Sequence, residues 1–317
     1  MYKKVVVLGG GTGISYLLKG LKDFPVDITA VITVSDNGRS TGALRREFKT
    51  PAVGDIRKVI SNLSLIDPKI KEMMEYRFHT SSDLNGHALG NLVLISMLDI
   101  TGSLKESIRL LSELLDVRHT VLPISEDSDL TLMAEDYDGN IVEGEEAITA
   151  AHRKFKRIFY QDEPHVTKEV IDAILNADLV ILSMGSLYTS ILPNLICKEV
   201  KKAINVTDAK VMYLCNAMTQ PGETDDFGVS DHIKLLYEYL GENTIDVVIA
   251  SNTKIDEQVA KKYETKEQKD PVFIDRLELE KMNVELIESD LLKVIDGTLR
   301  HDSLKLSTIV FNYLMRD

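Results

Sequence analysis

The sequence predicts an α/β fold with a mostly parallel sheet, helical additions and a small β-rich insertion. Continuous apolar runs alternate with segments of helical periodicity, and such runs are typical of strands that helices cover on both faces. Loops rich in Gly, Ser, Thr, Asn and Asp directly follow apolar runs, at residues 9–13, 35–42, 185–188, 216–224 and 251–253. Loops at the carboxyl ends of parallel strands line the ligand crevice, and small polar loops expose N–H groups that bind phosphate. We therefore expect a phosphorylated ligand there, in particular a nucleotide.

The chain begins with a predicted βαβ unit. Residues 3–8 and 28–34 read as strands, residues 14–21 have apolar positions at helical spacing, and the crossover between the strands should be right-handed. Helical periodicity then predicts helices at residues 55–66, 69–78, 89–100 and 104–115.

Residues 117–162 read as a β-rich insertion or subdomain. A hairpin is predicted on either side of Asp138-Gly139, because Asp-Gly supplies the positive φ of a tight turn. Residues 158–160 add a further strand.

The α/β alternation then resumes. We expect helices at residues 170–175, 191–204, 229–240 and 304–315, and strands at 179–182, 210–215, 247–250, 271–274 and 284–287. Neither a repeat nor a low-complexity linker interrupts the pattern, so residues 1–317 are interpreted as a single domain that carries the insertion.

Composition narrows the functional classes. The 317 residues are 44% apolar and carry a formal net charge of −13, which argues against a nucleic-acid partner or binding to an anionic membrane. Cys197 and Cys215 lie within apolar segments without CxxC spacing, as expected for reduced, buried thiols. The apolar run 5–8 is too short for a signal peptide, and no run has transmembrane length. These features predict a cytoplasmic protein without membrane insertion.

The glycine-rich loop offers the strongest local motif for ligand binding. Gly10, Gly11, Thr12 and Gly13 follow a strand and open a helix, where backbone N–H groups and the helix dipole favour phosphate. A tight turn without a ligand is the alternative. The dinucleotide fingerprint is incomplete because Ile14 occupies the third glycine position, and the P-loop pattern is absent.

The next loop carries charge as well as small residues. Asp36 could bind ribose hydroxyls in an NAD enzyme, whereas Asn37, Arg39 and Ser40 continue as an anion-friendly loop. An Asp36-Asn37 pair could also orient a phosphate bound to Mg²⁺, and a simple turn that caps the next helix is the structural alternative.

Further candidates lie at later helix starts and loops. Asp55 is placed to cap a helix, Arg57 could face the crevice, and His87 and Asn91 stand at another helix start. In the loop that begins at residue 183, Gly185, Ser186 and Thr189 can donate hydrogen bonds, and Tyr188 can stack on a base or sugar. The loop from Asn216 to Thr224 can read a base or sugar through amide hydrogen bonds.

Taken together, these loops resemble the YvcK/CofD family, and closely its YvcK-like branch, whose members are often called gluconeogenesis factors. The matching stretches spread over residues 5–302 and read VVVLGGGTG, TVSDNGRSTGALR, PAVGDIRK, NGHALGNLVL, MGSLYTSILPNL, NAMTQPGET, NTKI and LRHD. As a set they are specific, although each alone would be weak.

The resemblance implies a Rossmann-like domain and a UDP-sugar ligand, UDP-GlcNAc or UDP-glucose. It also implies a role in growth on gluconeogenic carbon sources, cell shape and peptidoglycan synthesis, with a cell-envelope synthesis protein as a partner and a homodimer as the assembly. Carried over by position, the ligand-binding residues are Gly10, Gly11, Thr12, Gly13, Asp36, Asn37, Arg39, Ser40, Asn91, Gly185, Ser186, Leu187, Tyr188, Asn216, Thr219, Asn252 and Arg300. Arg300 is the candidate for contacting the diphosphate or sugar.

Two alternatives stay open. The CofD branch resembles a transferase that passes a phospholactyl group from a nucleotide diester to a deazaflavin precursor, and a Rossmann-like fold also suits an NAD(P)-dependent oxidoreductase. Asn37 and Arg39 replace an acid and a small residue expected in the family stretch, which favours direct phosphate binding over a metal-dependent transfer. No resident cofactor is certain, Mg²⁺ is a candidate only, and no catalytic residue is assigned.

Overall fold

The computed structural model describes residues 2–256, 261, 263, 265, 268–295 and 298–316; the Arg39 side chain lies outside the description. Its centre is a seven-stranded sheet in which every neighbouring pair is parallel. The strands of this sheet are β1 (Lys3–Gly9), β2 (Val26–Ile32), β3 (Thr120–Pro123), β7 (Leu179–Leu182), β8 (Lys210–Leu214), β9 (Val247–Ser251) and β10 (Glu285–Ser289).

The strand order is β10-β9-β8-β7-β1-β2-β3. The strands β2 and β3 thus follow on one side of β1, and the strands β7 to β10 follow on its other side, so the order reverses between β1 and β7. This is the doubly wound Rossmann arrangement, in which ligands bind outside the carboxyl ends of the strands at the reversal point. The predicted Rossmann-like α/β fold is confirmed.

Helices cover both faces of the sheet. They are α1 (Gly11–Leu21), α2 (Arg39–Phe48), α3 (Gly54–Leu63), α4 (Pro68–Glu75), α5 (Leu89–Thr101), α6 (Leu104–Leu114), α7 (Glu145–Ala150), α8 (Lys168–Leu175), α9 (Leu192–Leu195), α10 (Lys198–Val206), α11 (Val229–Leu240), α12 (Arg276–Lys281) and α13 (Ser303–Leu314). Because β1 is covered on both faces, Val5–Leu8 are buried and form the centre of the core. Within the described residues, no helix combines the length and apolarity needed to cross a membrane.

A separate antiparallel sheet contains β4 (Leu132–Glu135), β5 (Ile141–Glu143) and β6 (Arg157–Tyr160), in the order β5-β4-β6. The predicted hairpin is confirmed, since Gly139 has φ +84° in the turn between β4 and β5. The segment 117–162 is nevertheless divided. Thr120–Pro123 joins β2 in the main sheet, because this apolar strand is buried there, and only the later strands form the small sheet.

Several elements differ from the sequence prediction. The helix predicted at residues 191–204 is a π turn (Leu187–Ile191) followed by α9 and α10, because Pro193 cannot donate a backbone hydrogen bond and Cys197 is extended. Residues 271–274 form isolated bridges and not a strand. The sequence analysis also does not predict α2, α7, α12 or a hairpin of β11 (Leu292–Ile295) and β12 (Thr298–His301).

Candidate functional site

A cavity of about 660 Å³ lies at the reversal point between β1 and β7. The glycine loop, the loop after β7 and the loop after β8 form three of its walls, and α7 and β12 contribute the remainder. Its lining residues include Gly10, Thr12, Gly13, Tyr16, Glu145, Thr149, Gly185, Ser186, Thr189, Ser190, Asn216, Thr219, Tyr263, Arg300 and His301. The structure therefore brings together eight of the predicted ligand-binding residues: Gly10, Thr12, Gly13, Gly185, Ser186, Asn216, Thr219 and Arg300.

The glycine loop packs tightly against the loop after β7. A Cβ at Gly13 would lie 1.9 Å from the Met184 carbonyl oxygen, so only glycine allows α1 to approach this closely. Gly11 has φ +64°, and its N–H donates to Asp55 Oδ2 at 2.6 Å. The prediction that Asp55 caps α3 is wrong, because its carboxylate binds the start of α1 and not the start of its own helix.

In the loop after β7, groups that were expected to bind phosphate make hydrogen bonds within the protein. The Glu223 carboxylate accepts from the Ser186 hydroxyl at 3.1 and 2.9 Å and from the Tyr188 N–H at 3.1 Å. Burial raises the pKa of Glu223 to about 7, against the lowering effect of these hydrogen bonds. The sequence reading overlooked this carboxylate, and its presence leaves the glycine loop and Arg300 as the better placed phosphate contacts.

Leu187 and Tyr188 belong to the core. Tyr188 is 4% exposed, its ring meets the Phe155 ring edge-on, and its hydroxyl accepts from the Phe155 N–H at 3.2 Å. Stacking of Tyr188 on a base does not fit this placement. Both residues belong to the π turn (Leu187–Ile191), in which Leu187, Tyr188 and Ile191 are buried, whereas the sequence analysis treats them as part of an exposed loop.

Asn216 and Thr219 border the cavity but use their side chains to hold backbone. The Asn216 amide accepts from the Gly185 N–H at 2.8 Å and donates to the Gly185 carbonyl at 2.7 Å. Thr219 Oγ1 accepts from the Asp270 N–H at 2.9 Å. These contacts fix the shape of the cavity walls, and a direct contact of either side chain with a base stays a prediction.

The hairpin of β11 and β12 closes the cavity from the side of α1. Arg300 lies over the Tyr16 ring at 5.5 Å, which holds the guanidinium at the cavity wall. Burial lowers the pKa of His301 to about 4, so this neighbour is neutral at physiological pH. Sequence reasoning identified Arg300 but not the hairpin that delivers it, and it missed Tyr16 and His301.

The small sheet contributes Glu145 and Thr149 through α7. Burial, together with the charges of Asp36 and Asp55, raises the pKa of Glu145 well above its ordinary value. A protonated carboxyl at the cavity wall can donate a hydrogen bond, for example to a sugar hydroxyl or a phosphate oxygen. No motif in the sequence singled out Glu145.

Asp36, Ser40 and Asn91 lie in a second cavity, of about 840 Å³, and not at the reversal point. Arg57 is 3% exposed and donates from Nε to Asn91 Oδ1 at 3.2 Å, and Ser40 Oγ lies 2.9 Å from His87 Nδ1. Burial and the nearby Asp55 raise the pKa of Asp36. The predicted anion loop thus belongs to a neighbouring polar cavity, because α2 carries Ser40 away from the glycine loop.

Among the described predicted residues, Asn37 and Asn252 line neither cavity, as is also true of Gly11, Leu187 and Tyr188. Asn37 Oδ1 accepts from the Glu146 N–H at 2.9 Å and anchors the start of α7, so its amide is committed to the fold. Asn252 donates from its N–H to the Ser289 carbonyl beside β10. The Arg39 side chain lies outside the described residues. The described part of the chain contains no group of three His, Cys, Asp or Glu side chains arranged to hold a metal ion, and a Mg²⁺ role stays a prediction.

The comparison with protein families agrees with this geometry. The family model described as 2-phospho-L-lactate transferase CofD matches residues 5–292, a range that runs from within β1 past the end of β10. The chain belongs to the CofD family. The family resemblance inferred from the loop motifs is thereby confirmed.

Curated relatives within the CofD family are gluconeogenesis factors. The gluconeogenesis factor of Bacillus subtilis (strain 168) is 41% identical over 98% of this chain and 98% of its own length. The one from Halalkalibacterium halodurans is 42% identical over 97% of this chain and 95% of its own length. An X-ray crystal structure of a Bacillus halodurans protein superposes with a TM-score of 0.94 at 41% identity and covers 98% of this chain and 100% of that one.

Proposed function

We propose that this protein is a cytoplasmic regulator that binds a UDP-sugar, UDP-GlcNAc or UDP-glucose. In this proposal it supports growth on gluconeogenic carbon sources, and it influences cell shape and peptidoglycan synthesis through a partner protein of cell-envelope synthesis. The observation that carries the ligand proposal is the polar cavity of about 660 Å³ at the reversal point of the sheet. Its volume lies within the ~300–1,000 Å³ typical of small-molecule sites.

The charges at the cavity suggest how the ligand lies. Gly10, Thr12 and Gly13 surround the start of α1, whose dipole favours a diphosphate, and Arg300 stands at the same wall. The loop after β7 presents the Glu223 carboxylate behind Ser186, so an uncharged part of the ligand suits that side better. A nucleoside diphosphate sugar has this distribution, with its charges at the centre and neutral groups at both ends.

The NAD(P) alternative meets a specific obstacle. In a dinucleotide enzyme the acid after the second strand binds the ribose hydroxyls. Here the Asp36 carboxylate accepts from the Gly38 N–H at 2.9 Å and faces the second cavity. This placement favours a ligand other than NAD(P).

Phospholactyl transfer is a second candidate, because the matching family model carries that name. Incubation with the nucleotide diester, the deazaflavin precursor and Mg²⁺ tests it, and product formation would favour catalysis over regulation alone.

Thermal unfolding with a ligand panel tests the UDP-sugar proposal. A ligand at 100 times its dissociation constant adds about 2.7 kcal/mol to the free energy of unfolding, so UDP-GlcNAc or UDP-glucose should raise the unfolding midpoint clearly. NAD and UDP alone serve as comparisons, since the first tests the dinucleotide alternative and the second the contribution of the sugar. No shift with either UDP-sugar contradicts the proposal.

Arg300→Ala tests the placement of the diphosphate. Loss of a charge-assisted hydrogen bond costs about 1.5–3 kcal/mol, so the dissociation constant measured by calorimetry should rise about 10- to 100-fold. Arg109→Ala is the matched control, because Arg109 lies on α6 in exposed ion pairs with Glu106 and Glu113. Equal affinities of wild type and Arg300→Ala would remove Arg300 from the site.

A further inference from the structure

Side chains of the loop after β8 form hydrogen bonds with the loop after β7 at two separate points. Asn216 binds both backbone groups of Gly185 at one point, and Glu223 binds Ser186 and Tyr188 at the other. The loop after β7 lines the cavity through Gly185, Ser186 and Thr189, whereas Glu223 lies behind this loop and not on the cavity wall. Glu223 can therefore reach a ligand only through the loop that it holds.

A continuous chain of hydrogen bonds leads from Glu223 to the cavity wall. The carboxylate accepts from Ser186 Oγ at 2.9 Å, and Ser186 Oγ itself accepts from the Thr189 N–H at 3.1 Å. The same carboxylate takes the Tyr188 N–H. Ser186 is thus fixed as donor to the carboxylate and acceptor from the backbone, which leaves its hydroxyl a single orientation.

The turn that carries Glu223 is itself held at several points. The Glu223 N–H donates to the Gln220 carbonyl at 3.0 Å, and Thr224 Oγ1 accepts from the Gln220 N–H at 2.9 Å. Gly222 packs against residue 152 so closely that a Cβ would lie 1.8 Å from the His152 carbonyl carbon. The carboxylate is therefore presented from a rigid turn.

We propose that Glu223 is a positioning residue for the cavity ligand, because it holds Ser186 and the π turn in the conformation that receives the ligand. The inference rests on the proposed function for the identity of that ligand. The contact between Glu223 and the loop is made entirely by protein groups, so it can be tested without any ligand.

Hydrogen exchange in the unliganded protein is the first measurement. In Glu223→Ala the Tyr188 and Thr189 amides should exchange about tenfold faster or more, the effect of losing a charge-assisted hydrogen bond. Glu223→Gln keeps an acceptor oxygen and should restore most of the protection. Glu238→Ala, an exposed change on α11, is the matched control and should leave these amides unchanged. Unchanged exchange in Glu223→Ala overturns the inference.

Ligand affinity at a temperature where all variants are folded is the second measurement. Glu223→Ala should weaken UDP-GlcNAc binding about tenfold or more, and Glu223→Gln should bind more nearly like wild type. Ser186→Ala combined with Glu223→Ala should weaken binding by less than the sum of the two single effects, because both act through one contact. Wild-type affinity in Glu223→Ala, or full additivity, would also overturn the positioning role.

The two proposals can fail separately. If wild-type protein binds neither UDP-sugar while Glu223→Ala still accelerates exchange at Tyr188 and Thr189, the contact of Glu223 with the loop is confirmed and the ligand proposal fails. The affinity comparison is then made with the nucleotide of the panel that binds, NAD or UDP, and the same weakening is expected.

Discussion

Replacement of Asn216 by aspartate probes the two-way amide contact that fixes Gly185. An aspartate keeps nearly the same shape and still accepts from the Gly185 N–H, but its second oxygen faces the Gly185 carbonyl oxygen at the position where the amide now donates over 2.7 Å. One hydrogen bond of ~1 kcal/mol is lost, and a carbonyl is left facing a negative charge. We expect Asn216→Asp to lower the free energy of unfolding by about 2–3 kcal/mol at pH 8.

Urea denaturation at pH 8 and pH 5 measures this effect. The introduced carboxyl should have a raised pKa in the folded protein, because ionisation places its charge beside the Gly185 carbonyl. Its contribution to stability is then greatest below the ordinary carboxyl pKa and is lost as the pH rises through the folded value. Asn216→Asp should therefore recover towards wild type at pH 5, where a protonated carboxyl can donate to Gly185.

Asn216→Ala is the control for the loss of contacts without added charge. It removes both hydrogen bonds, should cost about 1–3 kcal/mol, and should keep the same difference from wild type at both pH values. If Asn216→Asp is as stable as wild type at pH 8, the two-way contact does not hold the loop.

Two further predictions concern the same walls. Gly13→Ala should lower the free energy of unfolding in urea titrations by several kcal/mol, because its Cβ would lie 1.9 Å from the Met184 carbonyl oxygen. Gly139→Ala is the control, since Gly139 has a positive φ but open space around it, and it should cost only about 1 kcal/mol. Equal costs for the two substitutions would contradict the packing argument. Glu223→Gln should be more stable than wild type at pH 8, by at most about 3 kcal/mol. The pKa of Glu223 is raised from 4.5 to about 7, and each pKa unit corresponds to ~1.4 kcal/mol. The contribution of Glu223 to the free energy of unfolding is therefore complete below pH 4.5 and is lost as the pH rises through 7. The advantage should shrink by pH 5, and a pH-independent difference in denaturant midpoint would count against a buried carboxylate.

Much of the fold could be predicted because apolar runs identify buried parallel strands. Residues 3–8, 179–182 and 247–250 were assigned within a residue or two of β1, β7 and β9. The glycine loop could likewise be placed at the carboxyl end of β1, since a strand, a cluster of glycines and a helix follow one another directly. Those signals are local, so a single sequence contains them.

The remaining features depend on contacts that local patterns do not record. Residues 39–48 are mostly polar and contain Gly42, so few apolar side chains indicate the helix α2. The hairpin of β11 and β12 has short strands that are partly exposed. At the site, the sequence showed the polar loops but not which of their groups were already paired, because Glu223 and Asp55 are remote in sequence from the N–H groups they bind.

The docking of α13 on α1 has a consequence for the time at which the cavity forms. Ser303 Oγ donates to the Tyr16 carbonyl across 287 positions of sequence, and Arg300 covers the same tyrosine. At a synthesis rate of ~5–20 residues per second, roughly 15–60 s therefore pass between the synthesis of the glycine loop and the synthesis of the segment that closes the cavity. A ligand that contacts Arg300 cannot make that contact before the hairpin has been synthesised. A ligand that contacts Arg300 then favours molecules in which α13 has docked on α1 over molecules in which it has not.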